Sequence, residues 1–291
     1  MAVELWSGQT SLSTSVSGAS PVSTATANIV AGPIAGYGGT TTTNGAYTIH
    51  TFTSSGTFYV NSAVANGVIE YLCVGGGGGG GSTYQGAMNG GWFGGGGGAG
   101  GYLTYFTSNV GFGNNFQGPP VYVNQGDSFT ITVGAGGASV TNGGNSSITS
   151  SLYSITSFGG GAGGISGSGN SGGNGGSGGG GGTYVVNIDW SYGSKGYSIA
   201  QMPKQGFDGN SAAAGASGIG GGANRTNSIT GNTYSVPGPA ATGSPGIGAN
   251  ASPNTGNGGG GSSSPASSLG YGPYIGGSGG SGIVIIRYRT T

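Results

Sequence analysis

The run Val68-Ile69-Glu70-Tyr71-Leu72-Cys73-Val74 passes without a break into Gly75-Gly76-Gly77-Gly78-Gly79-Gly80-Gly81. The first half reads as a strand that is apolar on both faces apart from Glu70, the pattern of a strand buried between layers. The second half carries no side chains and buries no apolar surface of its own, so any order in it comes from the main chain. Related tracts recur at 90–91, at 94–101 broken only by Ala99, at 159–182 interleaved with Ser and Asn, and at 218–222, 258–261 and 276–282. They read as one system.

Ordered glycine has an obvious use in polyproline II geometry, with about three residues per turn, about 3.1 Å of rise and no internal hydrogen bonds. Every N–H and C=O then points outward and needs a partner. Without a Cβ in the way, several such threads can lie close together and bond sideways. Fixing each residue costs about 1–2 kcal/mol of backbone entropy, and more for glycine. Only a dense lattice with apolar anchors at its edges offsets that.

The chain has 77 glycines in 291 residues, five basic and five acidic side chains, and no net charge. With so little charge there is no overall field to attract nucleic acid or an anionic membrane. A glycine fraction this high often marks low-complexity, disordered chain. Against that stand 16 Tyr, 9 Phe and 3 Trp, many of them in alternating runs that read as strands. The expected fold is all-β: a β-sandwich-like frame with packed polyglycine II helices and no α-helix of note.

Strands are expected at 47–52, 57–60 and 68–74, separated by Ser54-Ser55-Gly56 and Asn66-Gly67. Further strands are expected at 102–106, 121–123 and 128–133, with Phe129, Ile131 and Val133 on one face. Asn124-Gln125-Gly126-Asp127 reads as a hairpin connection between the last two. Residues 1–46 are short, polar and β-prone, as at 14–16 and 24–30. They hold no secretory signal pattern, and no stretch approaches 18 apolar residues. The expected location is the cytosol, left by lysis or inside a particle. Cys73 is expected to be a buried free thiol.

The ordered series Gly45-Ala46-Tyr47-Thr48-Ile49-His50-Thr51-Phe52-Thr53-Ser54-Ser55-Gly56-Thr57-Phe58, Glu70-Tyr71-Leu72-Cys73-Val74 into polyglycine, Thr132-Val133-Gly134-Ala135-Gly136-Gly137, Asn142-Gly143-Gly144-Asn145-Ser146-Ser147 and Gly280-Ser281-Gly282-Ile283-Val284-Ile285-Ile286-Arg287-Tyr288 resembles the glycine-rich domain of tailed-bacteriophage tail fibre and other virion appendage proteins. The resemblance covers about residues 38–291. It implies a β frame closed by the C-terminal strand beside polyglycine II helices, carried on a virion assembled in the host cytoplasm, with a homotrimer as the expected oligomer. Residues 1–37 fall outside it and are expected to attach the chain to other tail or virion proteins.

On a rigid frame, loops between tracts are where binding resides. Between Asp189 and Asp208 the chain places Asp189, Lys195, Lys204 and Asp208 together with Trp190, Tyr192, Tyr197 and Phe207. Aromatic faces beside charged and hydrogen-bonding groups suit sugar rings or lipopolysaccharide headgroups. The candidate receptor-binding residues are therefore Trp190, Tyr192, Lys195, Tyr197, Lys204 and Phe207. The alternative is that Tyr184, Val186, Ile188 and Trp190 form one core-facing strand face, with the charges on a solvated turn. A second aromatic group, Tyr84, Met88, Trp92 and Phe93, reads as anchors at the lattice edge. Tyr271 and Tyr274 around Pro273 form a weaker third.

Catalytic signals are poor. His50 is the only histidine and sits in an expected strand, which favours packing over a Ser/His/Asp arrangement. Glu4, Glu70, Asp127, Asp189 and Asp208 show no local pairing for glycan hydrolysis, and no acidic cluster suits calcium. No metal or cofactor is expected, and no enzymatic activity. Gly75 to Gly80 fits a dinucleotide-binding fingerprint only as any polyglycine run does, since no helix follows. The Gly193-Ser194-Lys195-Gly196 stretch is no phosphate loop, and the sequons at Asn145, Asn224 and Asn250 read as coincidental. Two functions remain: a tail fibre or tail-tip adhesin that recognises a host surface glycan, or a non-adhesive structural virion protein such as a head fibre or tail decoration.

Overall fold

The structure is a computed structural model that describes residues 9–11, 26–28, 33–64, 67–83, 91–107, 116–166, 171–186, 189–200, 203–212, 218–241, 246–264 and 274–290. In chain order its strands are β1 (Gln9–Ser11), β2 (Thr26–Asn28), β3 (Ala35–Tyr37), β4 (Thr40–Asn44), β5 (Tyr47–Phe52), β6 (Gly56–Ser62), β7 (Gly67–Val74), β8 (Trp92–Phe93), β9 (Tyr102–Tyr105) and β10 (Val121–Val123). There follow β11 (Ser128–Thr132), β12 (Ser146–Thr149), β13 (Ser154–Ser157), β14 (Thr183–Val186), β15 (Asp189–Tyr192), β16 (Arg225–Thr226), β17 (Thr233–Tyr234), β18 (Ser263–Ser264) and β19 (Ile283–Arg289). The fold is all-β, and no α-helix occurs among the described residues.

Two antiparallel sheets make the frame. One runs β10-β7-β19-β5-β4 with β9 also on β7, and the other runs β13-β12-β11-β6-β3. The C-terminal strand β19 lies in the middle of the first sheet, between β5 and β7. In β11 every second residue points inward, so Phe129 and Ile131 are buried. They meet Ile69, Tyr71, Cys73, Val284 and Ile286 from the facing sheet in one apolar core. The other face of the first sheet is covered as well: Leu72, Val74, Ile283 and Ile285 pack with Tyr102, Phe116, Ala223, Ile229 and Tyr234 around the β16–β17 hairpin. Covering on both faces is why β7 is apolar throughout. Glu70 is tolerated because Arg287 stands opposite it on β19. The Arg287 Nε donates to Glu70 Oε2 at 2.6 Å. Glu70 Oε1 accepts from the N–H and the hydroxyl of Thr107.

The structure corrects one expected hairpin. β10 pairs with β7 while β11 pairs with β6 and β12, so the turn at 124–127 crosses from one sheet to the other. It is tied locally by Asn124 N–H to Asp127 Oδ2 at 2.8 Å. A tight turn signal specifies a reversal of direction, not which strands then pair.

The glycine tracts fill the space beyond the frame. Gly75, Gly78 and Gly81 donate to the carbonyls of Gly101, Gly98 and Gly95. Gly76 and Gly79 donate to Gly144 and Thr141, and Gly77 and Gly80 to Gly280 and Gly277. Every third residue thus faces the same neighbour, which is the three-residue turn of polyproline II geometry. The partner numbers fall as the donor numbers rise, so these three neighbours run antiparallel.

The carbonyls of the same thread face three others. Gly76 and Gly79 accept from Gly160 and Gly163, Gly77 and Gly80 from Gly137 and Val140, and Gly78 and Gly81 from Gly259 and Ser262. These neighbours run parallel. Thread 75–81 therefore lies at the centre of six hydrogen-bonded neighbours. Thread 94–101 is a second hub, bonded to 75–81, 158–164, 177–180, 218–221, 256–262 and Gly238. Further out, one position in three faces inward: Gly134 and Gly137 are buried while Ala135 and Ala138 are exposed.

The threads run between two β borders. Val74, Tyr102, Ser157 and Ile283 join them to the sandwich at one end. Phe93, Thr183 and Ser263 join them at the other to a four-stranded sheet, β15-β14-β8-β18. A net gain of about 0.5–1.5 kcal/mol per hydrogen bond only matches the entropy lost per residue, so the apolar frame supplies the surplus.

Candidate functional site

The candidate segment is an outer row of the lattice. Phe207 and Asn210 accept through their carbonyls from Gly178 and Gly181, Gly193 and Gly196 donate to Gly182 and Gly179, and Gly209 donates to Gly196. Adjacent threads thus carry Lys195 and Tyr197 on one and Phe207 and Asp208 on the other. Gln205, buried between them and the frame, fixes the row in place. Its Oε1 accepts from Phe158 N–H at 2.9 Å, its Nε2 donates to the Thr156 carbonyl at 2.8 Å, and its own carbonyl accepts from Tyr102 N–H at 2.9 Å.

Two side-chain groups meet on this row. In the first, Lys195 Nζ lies 3.3 Å from Asp208 Oδ2 and 5.3 Å from the centre of the Tyr197 ring. Asp208 Oδ1 accepts from the N–H and hydroxyl of Ser198 at 2.8 and 3.0 Å. These bonds, the Ser198 N–H foremost and Lys195 last, hold the Asp208 carboxyl below its ordinary range. Tyr197 is 55% exposed, so the part of its ring that Lys195 leaves uncovered is within reach of a ligand. In the second group, Lys204 Nζ sits 4.1 Å from the centre of the Phe207 ring. Phe207 lies 5.8 Å from Phe116, and Arg225 lies over Phe116 at 5.1 Å. Phe207 and Asp208 are neighbours in sequence, so the two groups lie beside each other on the same row.

Of the six expected residues, Lys195, Tyr197, Lys204 and Phe207 are gathered here. Tyr192 ends β15, exposed, directly before the 193–196 thread. Trp190 stands in β15 opposite Val185. The alternative of one strand face through Tyr184, Val186 and Trp190 is corrected: β14 and β15 are separate antiparallel strands with Val186 opposite Asp189, so the chain reverses between them. Ile188 lies outside the described residues. Phe116, Arg225 and Gln205 adjoin these groups and were not singled out by sequence reasoning. Arg225 was within reach of it, as one of five basic residues; Phe116 and Gln205 carry no such signal.

Of the second aromatic group, Trp92 and Phe93 stand at the lattice edge as expected. Trp92 stacks on Tyr184 with ring centres 5.1 Å apart, and Phe93 is buried where the 94–101 thread begins. Tyr84, Met88, Tyr271 and Pro273 lie outside the described residues. Tyr274 serves the lattice end through its carbonyl, which accepts from Thr83 N–H and the Ser262 hydroxyl, both at 2.9 Å.

His50 and Cys73 are core residues. His50 Nδ1 donates to the Gly38 carbonyl at 2.7 Å and its Nε2 accepts from the Tyr288 hydroxyl at 2.9 Å. Its ring packs against Phe58 and Tyr288. Burial pushes the Cys73 thiol up to about 12 and leaves it free of any disulfide. Among the described residues, no group of three or more His, Cys, Asp or Glu side chains comes together, and no helix is long and apolar enough to cross a membrane.

A family model described as a glycine-rich domain matches residues 51–289. No curated protein matches the chain.

Proposed function

The chain belongs to the glycine-rich domain family, and from that premise we propose that it is a tail fibre or tail-tip adhesin of a tailed bacteriophage, binding a host cell-surface glycan. The observation that carries the reading is the pair of exposed aromatic–cation groups, Lys195 with Tyr197 and Asp208, and Lys204 with Phe207, set on adjacent threads of a main-chain lattice. A sugar gains from such a face because exposed rings offer stacking area at little entropic cost, and the flanking polar groups orient its hydroxyls. A lattice with few charges resists changes of salt, as suits an appendage in open water.

In this reading the chain is a binding protein and not an enzyme, it works on the virion, and residues 1–37 join it to other tail proteins. The two hub threads find their partners within one chain, so a homotrimer would assemble through other surfaces. That same saturation favours the second reading, a non-adhesive head fibre or tail decoration in which stiffness is the whole function.

Competition for adsorption separates the two. Purified chain added to host cells is expected to block adsorption of the parent phage, with Tyr197→Ala and Trp190→Ala each at least about tenfold less effective. Cells that ignore the protein, while it co-sediments with capsids or tails, would assign it the structural role.

A further inference from the structure

In a chain with only five basic and five acidic residues, the places where charge is left uncompensated are informative. Two cations are matched by carboxylates: Arg287 by Glu70 inside the frame, and Lys195 by Asp208 on the outer row. Lys204 and Arg225 are held in another way. Each lies over a phenylalanine ring, Lys204 over Phe207 and Arg225 over Phe116, and the two rings are 5.8 Å apart. Neither cation has a carboxylate partner among the described residues.

The difference matters because a ring attracts a cation through its quadrupole and has no net charge with which to cancel it. A carboxylate fixes a lysine and neutralises it. A phenyl face fixes the lysine and leaves its full charge, and its N–H donors, turned to solvent. Phe116 and Phe207 thus form an aromatic pair with a positioned, uncancelled cation at each end. Arg225 is exposed and Lys204 half-buried, and Gln205, the next residue after Lys204, is tied to the frame by three hydrogen bonds. The positions of the charges are therefore preset. A guanidinium held over a ring still has N–H donors to offer a carboxylate or phosphate.

We propose that this face selects an acidic glycan, a sugar bearing a carboxylate or phosphate, with Lys204 and Arg225 contacting the anion and Tyr197 and Phe207 supplying the stacking surface. The inference rests on the glycan-receptor reading above and narrows its ligand class. It also extends the site to Arg225 and Phe116, which lie beyond the candidate segment.

The test titrates the full chain with three probes: tri-galacturonic acid, its fully methyl-esterified and uncharged counterpart, and the bisphosphorylated glucosamine disaccharide left when lipid A is deacylated. At about 50 mM salt at least one acidic probe is expected to bind about tenfold more tightly than the ester, and to weaken several-fold at about 500 mM salt. Which of the two binds tells carboxylate from phosphate as the recognised group. Lys204→Gln and Arg225→Gln, each checked for an unchanged circular dichroism spectrum, should each cost about tenfold for the acidic probe and clearly less for the ester. Equal binding of ester and acid, abolished by Tyr197→Ala, overturns the acidic preference while the glycan reading stands. Acid binding indifferent to both Gln variants likewise overturns it. Failure of all three probes to bind overturns the proposal and the glycan reading at this face together.

Discussion

His50 shows how much this fold asks of single side chains. It is wholly buried on the sandwich face of β5, where Gly38 and Tyr288 partner its two ring nitrogens. Burial lowers its pKa from the ordinary 6.5, with the Gly38 bond opposing by a lesser amount. A base whose folded pKa is depressed binds fewer protons folded than unfolded, so its contribution to stability is complete above about pH 6.5 and is lost as pH falls below that value. As the only histidine it dominates this window, because carboxyl groups titrate lower. The denaturant midpoint is expected to drop between about pH 7.5 and about pH 5. In His50→Gln that slope should flatten. A midpoint independent of pH in the parent protein would show that His50 takes up its proton as readily in the folded state as in the unfolded chain, against the depression assigned to its burial.

At the level of elements, the threads depend on the absence of a Cβ at positions facing a neighbouring carbonyl. A methyl group added at Gly79 would lie 1.9 Å from the Ala138 carbonyl oxygen, which is main chain and part of the lattice. At Gly246 an added methyl group meets nothing within 4 Å, although this residue too is bonded, to Ser263. Gly79→Ala should therefore lower stability by about 3 kcal/mol or more, and Gly246→Ala should stay within about 0.5 kcal/mol of the parent. Thermal melts of the two variants check this. Equal effects would mean that glycine is used here for flexibility and not for close approach. The same rule explains where side chains are admitted: Ala135 and Ala138 occupy the outward position of a surface thread, while thread 75–81, surrounded on six sides, admits none.

For the molecule as a whole, the lattice and the sandwich are one cooperative unit, since the two hub threads run directly out of strands, 75–81 from β7 and 94–101 between β8 and β9. Amides of 75–81 and 94–101 are expected to exchange with solvent as slowly as those of β7 and β19, through global unfolding alone. The amides of Asn250 and Ser252, exposed on the outside of the lattice, should exchange faster. Hydrogen exchange read by mass spectrometry distinguishes the outcomes. Exchange in the glycine threads many orders of magnitude faster than in β7 would mean that they open independently, and the stiffness assigned to them would be lost.

The frame was legible because strands announce themselves: alternation in 128–132, a doubly apolar run in 67–74 and an apolar end at 283–289 each correspond to one element. The need for sideways bonding of glycine was legible too, because a main chain without side chains has no other source of order. What the sequence left open was partnership. A glycine tract reads the same whichever tract lies beside it, so only the folded chain decides that 75–81 bonds to 95–101, 141–144 and 277–280. For the same reason the turn at 124–127 passed for a hairpin, and Phe116 and Arg225, far from Phe207 in sequence, had no visible tie to it. Local chemistry by itself determined which segments are strands and which are threads. The tertiary structure alone decided which of them meet, because hydrogen bonds between bare backbones and contacts between distant rings carry no local signature.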